Sequence, residues 1–141
     1  MSVIFYPIKP KYAQKIISGE KKFEYRRVKP QRDVKHIVIY SSSPEQLIIG
    51  LASVSTVISG TSKEVWDETH SFGGITKSEY EDYFEGAESA CAIAIDIVYK
   101  LEIPLNPKAI FENFTIPQSF KYLDDSSIDT IMTKGNCHIV G

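Results

Sequence analysis

Two spacings of apolar side chains alternate along this chain, and together they predict most of its elements. Val3–Tyr6 is a β-branched and aromatic run closed by Pro7, which reads as a strand. Pro10 then opens a helix at a position where its missing N–H costs nothing. Tyr12, Ala13, Ile16 and Ile17 recur at helical spacing and form its apolar stripe, with Lys11, Gln14, Lys15 and Ser18 facing outward. Gly19 stands where the first residue past a helix adopts the left-handed conformation. Residues 21–27 follow as a strand, with Phe23 and Tyr25 toward the core and Lys22, Glu24 and Arg26 on the other face.

Pro30 and Asp33 mark a loop, after which 36–40 is a second strong strand, followed by the turn-forming Ser41, Ser42, Ser43 and Pro44. Residues 46–58 form a long apolar run. Gly50 inside it predicts a bulge or bend, as at the corner of a small barrel. Two short helices are announced by capping boxes, Thr61 with Glu64 and Thr76 with Glu79, separated by Gly73 and Gly74. Residues 90–99 alternate most regularly. Ala90, Ala92, Ala94 and Asp96 share one face, and Cys91, Ile93, Ile95 and Ile97 fill the other. Pro104 and Pro107 interrupt the pattern, and a turn of helix near 106–113 and a helix near 126–133 follow. Strands with helices inserted between them, without regular βαβ alternation, predict an α+β fold: a small mixed barrel, open or closed, of about five or six strands.

A chain of 141 residues fits one domain with its own core. No run approaches the length needed to span a bilayer, and the amino terminus lacks the basic and apolar regions of a signal peptide, so the cytoplasm is the expected compartment. Cys91 and Cys137 belong to no Cys-x-x-Cys or Cys/His pair, and His36, His70 and His138 are scattered. Neither a disulfide framework nor a metal site is expected, and no cofactor is called for.

Charge is distributed unevenly along the chain. The net charge of −2 conceals a split: residues 1–35 carry 10 basic and 3 acidic groups, and the remainder carries 6 basic and 15 acidic groups. A positive arm of this kind attracts phosphates if it folds onto one face, and is otherwise a solvated lysine-rich surface. Within it, Lys21, Glu24 and Arg26, with Lys9 from the end of the first strand, form the strongest constellation. A carboxylate among cations stays ionised and would orient a lysine, and a lysine beside other cations moves toward a usable base or nucleophile. The same residues would also serve as a structural ion-pair network. Ser41, Ser42 and Ser43 offer hydroxyls and amides for a phosphate or sugar, or form a plain turn. Gln118 suits a base edge, or a loop backbone. Tyr12, Tyr25, Tyr40 and Phe120 have the faces that single-stranded RNA readers stack on bases, although Phe23 and Tyr25 read better as core and Trp66 as helix-to-barrel packing.

The spacing Gly19-x-Lys21-x-x-Glu24-x-Arg26, at the junction of first helix and second strand, resembles the signature of the ASCH family. Four further segments fit its larger branch: 8–12 (Ile-Lys-Pro-Lys-Tyr), 40–44 (Tyr-Ser-Ser-Ser-Pro), Trp66, and 117–120 (Pro-Gln-Ser-Phe). The likeness spans about Val3 to Leu123, so 1–123 is read as the ASCH, PUA-like domain and 124–141 as a C-terminal extension packed on or following it. The resemblance implies a PUA-like β-barrel and a basic cleft between barrel and helices, binding RNA, a nucleotide or a modified nucleoside, with no membrane partner. It places the motif residues Lys21, Glu24 and Arg26 in that cleft; with the residues read from their own chemistry, the expected ligand contacts are Lys9, Lys21, Glu24, Arg26, Tyr40, Ser41, Ser42, Ser43, Gln118 and Ser119. One branch hydrolyses N4-acetylcytidine with the motif lysine, a threonine and a distant glutamate. Here the lysine would be Lys21, Glu24 stands at the threonine position, and Glu64, Glu68, Glu79 or Glu81 would supply the third carboxylate. The readings are therefore binding; a hydrolase (amidohydrolase or ribonuclease) with Lys21 and Glu24 as catalytic residues; or a protein-interaction module. Glu24 in place of threonine favours binding over amide hydrolysis.

Overall fold

Residue 3 to residue 140 are described in the computed structural model, which runs β1 (Val3–Ile8), α1 (Pro10–Ile17), β2 (Phe23–Arg26), β3 (His36–Ser41), β4 (Leu47–Gly60), α2 (Ser62–Thr69), a 3₁₀ turn (His70–Phe72), α3 (Lys77–Phe84), β5 (Ala90–Leu105), α4 (Pro107–Ile110), β6 (Lys121–Leu123), α5 (Ser126–Gly135) and β7 (Cys137–Val140). The strands form one mixed sheet in the order β2-β5-β4-β3-β1-β6, with β7 added to β5. β2 and β6 end the series, so the sheet is not closed.

The sequence pattern accounts for most of this. α1 buries Ala13, Ile16 and Ile17 on its expected stripe, and Gly19 takes φ +85° immediately after it. Both capping boxes form, with each threonine hydroxyl accepting from the glutamate N–H and each glutamate accepting in return. β4 breaks register against β5 between Ile48 and Gly50. A side chain at Gly50 would collide with Ile17 and lie 3.0 Å from the Tyr99 carbonyl, so the bend there depends on a bare backbone.

Three features depart from the reading. β1 pairs parallel with β3, a crossover of α1 and β2 that the absence of regular alternation concealed. β6 and β7, of three and four residues, are too short to leave a periodic signal. β5 runs past the predicted end to Leu105, through Pro104, and its facing flips midway: Ile97 is exposed and Val98 buried, where strict alternation put Ile97 inside. The register shift at Ala52/Val54 supplies the cause: Ala52 pairs with Val98 and Val54 with Ile95, so β5 sets three residues against two of β4, and the extra residue turns the side chains beyond it to the other face.

The core has three parts. One gathers Ile4, Tyr6, Ile8, Ile37, Ile39 and Ile93 beneath α1. A second, holding Phe5, Val38, Tyr40, Leu51, Leu101 and Ile131, lies on the other side of β1 and β3 with α5 packed against it. The third joins Tyr25, Ala90 and Ala92 to Val65, Tyr80 and Phe84 of α2 and α3. The small alanine face of β5 allows this helix pair to sit close, as its spacing suggested. Trp66 packs at the edge of this third cluster, 4.7 Å from Tyr80 and stacked at 5.3 Å on His70. None of the described helices is long and apolar enough to cross a membrane.

Candidate functional site

Between the end of β1, the start of α1, strand β2 and the inner face of α3 lies a cavity of about 510 Å³. Lys9, Lys21, Glu24 and Arg26 all line it, together with Pro7, Ile8, Tyr12, Tyr25, Ile75, Glu79, Asp82 and Tyr83. The four charged residues singled out from spacing therefore converge on one concavity.

Lys21 sits just before β2 and is 3% exposed, with Gly74 packed against its stem. Its ammonium donates to the Gly73 carbonyl at 2.7 Å and lies 4.5 Å from the Tyr25 ring centroid and 5.4 Å from that of Tyr12. Lys15 of α1 donates to the next carbonyl, Gly74, at 3.2 Å, so two successive peptide oxygens of the loop between helices face two ammonium groups. Gly74 has φ +65°, and a Cβ there would lie 2.5 Å from the Lys21 Cβ; the loop approaches this closely because the residue is glycine. Burial lowers the Lys21 pKa to about 8; the negative charge of Glu24 opposes the fall, and Lys15 and Arg26 add to it.

Glu24 is 6% exposed and engages Arg26 rather than Lys21. The Arg26 Nε donates to Glu24 Oε2 at 3.0 Å, and its terminal nitrogen lies 3.0 Å from the same oxygen. Glu24 was expected to orient the lysine through direct pairing; instead it acts on Lys21 only as a nearby negative charge, because the closer guanidinium claims its oxygen. Arg26 also donates to the Pro7 carbonyl at 2.9 Å and the Ser119 carbonyl at 3.3 Å, and its guanidinium carbon lies 4.2 Å from the Tyr6 ring centroid. Arg26 belongs to β2, Pro7 to β1, and Ser119 precedes β6, so this one side chain spans the gap between the two ends of the sheet.

α3 closes the opposite wall. Glu79, Asp82 and Tyr83 stand at i, i+3 and i+4 and share a helix face. Besides capping its helix, Glu79 accepts from the Tyr12 hydroxyl at 2.8 Å and the Lys11 ammonium at 2.7 Å, which ties α3 to α1. These bonds, the Lys11 one first, hold the Glu79 carboxyl well below the usual carboxylate range, and burial together with the Glu79 contact pushes the Tyr12 hydroxyl up to about 12. The charged lining thus comprises Lys9, Lys21 and Arg26 against Glu24, Glu79 and Asp82. The cleft expected to be basic is balanced, because the acidic half of the chain folds its third helix over the basic half.

The other sequence candidates lie outside the lining. Tyr40 is 3% exposed and packs 5.1 Å from Phe5 in the second core cluster; its place in an alternating strand turns it away from the cleft. Ser41 is fully buried with its hydroxyl donated to Glu45 at 2.7 Å, so the turn uses that group internally. Ser42 donates its backbone N–H to the Ile8 carbonyl at 2.9 Å, which sets the turn of Ser42 and Ser43 beside the cavity wall without lining it. Ser119 reaches the site through its carbonyl on Arg26, and Gln118 is exposed next to it. Of the four candidate third carboxylates, Glu79 is the one that lines the cavity. Asp82 and Tyr83 escaped sequence reasoning, although their spacing from Glu79 was the available signal. Among the described residues no group of three or more His, Cys, Asp and Glu side chains is arranged to hold a metal ion.

A model of the ASCH domain matches residues 7–100. The chain is 31% identical over 121 residues to an ASCH domain-containing ribonuclease of Zymomonas mobilis, covering 81% of this chain and 79% of that protein. The crystal structure of ASCH from Zymomonas mobilis aligns at a TM-score of 0.81 and 27% identity, over 94% of each chain. The N-terminal domain of Staphylothermus marinus McrB shares the fold alone, at a TM-score of 0.62 and 12% identity over 94% of this chain and 93% of that one. This chain belongs to the ASCH domain family, and its mixed sheet with inserted helices is PUA-like.

Proposed function

We propose that this ASCH domain binds RNA in the cleft of Lys9, Lys21, Glu24 and Arg26 and cleaves its phosphodiester backbone there, with Lys21 as general base. The observation that carries the reading is a lysine 3% exposed that lines a cavity large enough for a nucleotide, where its burial lowers the pKa to about 8. Its similarity to a protein named as an ASCH ribonuclease supports the substrate class.

The neutral amine of Lys21 keeps one N–H on the Gly73 carbonyl and has its lone pair free for a hydroxyl in the cavity. It takes the proton of a ribose 2′-hydroxyl, and the 2′ oxygen attacks the adjacent phosphorus. The bond from phosphorus to the 5′ oxygen breaks, that oxygen takes a proton from solvent water, a 2′,3′-cyclic phosphate remains, and the Lys21 ammonium returns its proton to solvent. Lys9 and the field of Arg26 favour the added negative charge on the phosphate. Lys9, at the exposed mouth, meets the phosphate, while Tyr12 and Tyr83 offer ring faces to a base.

Incubating the protein with a single-stranded RNA and with DNA of the same sequence tests this. RNA fragments should end in a cyclic phosphate and begin with a 5′-hydroxyl, and the DNA should stay intact. Equal cutting of DNA would sink the mechanism. Hydrolysis of N4-acylcytidine is the less favoured chemistry, since Glu24 replaces the threonine of that branch and has its carboxylate committed to Arg26.

A further inference from the structure

Six of the ten cations in residues 1–35 line concavities, and three of those lie outside the cleft. Lys29, Arg32 and Lys35 border a second groove of about 350 Å³ between the β2–β3 loop and β4, where Ser55 and Thr56 are exposed. Asp33 is the carboxylate in its lining and lies 3.0 Å from the Lys35 ammonium, so the groove keeps a positive excess that the cleft lacks.

Its wall leads back to the cleft. The backbone N–H groups of Gln31 and Arg32 donate to the Tyr122 hydroxyl at 3.0 and 3.4 Å, and the Arg32 guanidinium lies 4.2 Å from the Tyr122 ring centroid. Tyr122 packs edge-on against Phe120 at 5.5 Å, and the residue before Phe120 is Ser119, whose carbonyl accepts from Arg26 of the cleft. Both rings are half-buried. Guanidinium, aromatic, aromatic, guanidinium is thus the order of side chains along this wall.

We infer that the groove under the β2–β3 loop is a second subsite, one that takes the sugar-phosphate backbone of single-stranded RNA after it leaves the cleft and crosses Phe120 and Tyr122. The subsite rests on the RNA reading above and extends it from one nucleotide to a strand. Clustered cations that track a backbone, interleaved with aromatic faces, are what sequence-tolerant single-strand binding requires. A duplex keeps its bases stacked inside and has no use for the two rings.

The test is titration of the full chain with a labelled trinucleotide and with a single strand of about twelve nucleotides, within the usual site-size range. Both are 2′-O-methylated to prevent cleavage and measured at several salt concentrations. The longer strand should bind at least tenfold tighter. Lys29→Ala/Arg32→Ala/Lys35→Ala should erase that gain, lower the log–log salt slope by about 2, and leave trinucleotide affinity within twofold. Lys29→Ala/Lys35→Ala, which keeps Arg32 on Tyr122, should show most of the same loss with the loop still anchored. Equal affinity for the two lengths, or no effect of either variant on the longer one, overturns the subsite and leaves the cleft reading standing. Failure of the wild type to bind either oligonucleotide overturns both. Equal competition by an acidic peptide of matched charge overturns the assignment to RNA.

Discussion

The Lys21 ammonium donates to the Gly73 carbonyl at 2.7 Å, joining two residues 52 positions apart across the floor of the cleft. The bond fixes where the amine points, and burial sets when it loses its proton. Position and proton affinity therefore depend on different parts of the chain: the loop before α3 controls the first, and the strand mouth controls the second.

Replacing Lys21 separates binding from chemistry. Lys21→Arg keeps a positive charge but has no proton to give up near neutral pH, and Lys21→Met keeps the stem without the amine. Both should cut RNA cleavage by about 10²–10⁴-fold, the usual contribution of a positioned base. In gel-shift titrations Lys21→Arg should hold RNA within about tenfold of wild type. Cleavage by Lys21→Met at the wild-type rate would remove Lys21 from the reaction.

The rate should rise with pH through about 8, with unit slope on a logarithmic plot, as the amine becomes neutral. Stability should follow in the same direction. Below pH 8 Lys21 is charged in both folded and unfolded chains, and its burial penalty is present in full. Between about 8 and the ordinary 10.5 the unfolded chain holds the extra proton, so stability gains with rising pH. Comparison with Lys21→Met by chemical denaturation isolates this group from Cys91, whose thiol burial pushes up to about 11 and whose contribution falls as pH rises above 9. The difference should move toward wild type by about 3 kcal/mol across that window. A flat difference would mean that the lysine titrates normally.

Arg26→Ala should cost about 3–5 kcal/mol, because it leaves Glu24 buried without its partner. Arg26→Ala combined with Glu24→Gln should recover part of that loss, since no unpaired charge then remains. Urea melts of the two variants decide it: a double variant less stable than Arg26→Ala alone would show that the contacts to Pro7 and Ser119, rather than charge pairing, hold this side chain.

How far the sequence reveals the site depends on which interactions are local. Lys21, Glu24 and Arg26 share one short strand and its approach, so their spacing alone placed them together. α1 and both capped helices were legible because i, i+3 and i+4 periodicity and cap chemistry are encoded within a dozen residues. The partner of Lys21 was not, since Gly73 read as a plain linker and nothing local says where a carbonyl points. Tyr40 shows the opposite failure. Its neighbours fit a site motif, but strand alternation buries it against Phe5. The flip of β5 at Ile97 comes from a shift in its register against β4, which the alternation within β5 does not record.

Gly74→Ala should destabilise the fold and impair catalysis together. The left-handed backbone alone costs about 1–2 kcal/mol for a non-glycine residue, and the added methyl would press on the Lys21 stem. Thermal melts should show the loss, and cleavage should fall more than RNA affinity because the amine is displaced. Gly86→Ala, also at positive φ but with open space around it, should show the backbone cost without the catalytic one.

Arg26 ties the two open ends of the sheet together with side-chain hydrogen bonds to the Pro7 and Ser119 carbonyls, where a ladder of backbone hydrogen bonds would have closed it. Such a fastening is reversible, and it lies within reach of any anion in the cleft. A phosphate that captured one of those donors would exchange a tie between the two sheet ends for grip on the ligand. The gap between β2 and the β1–β6 edge should then widen on binding, without any hinge in the backbone.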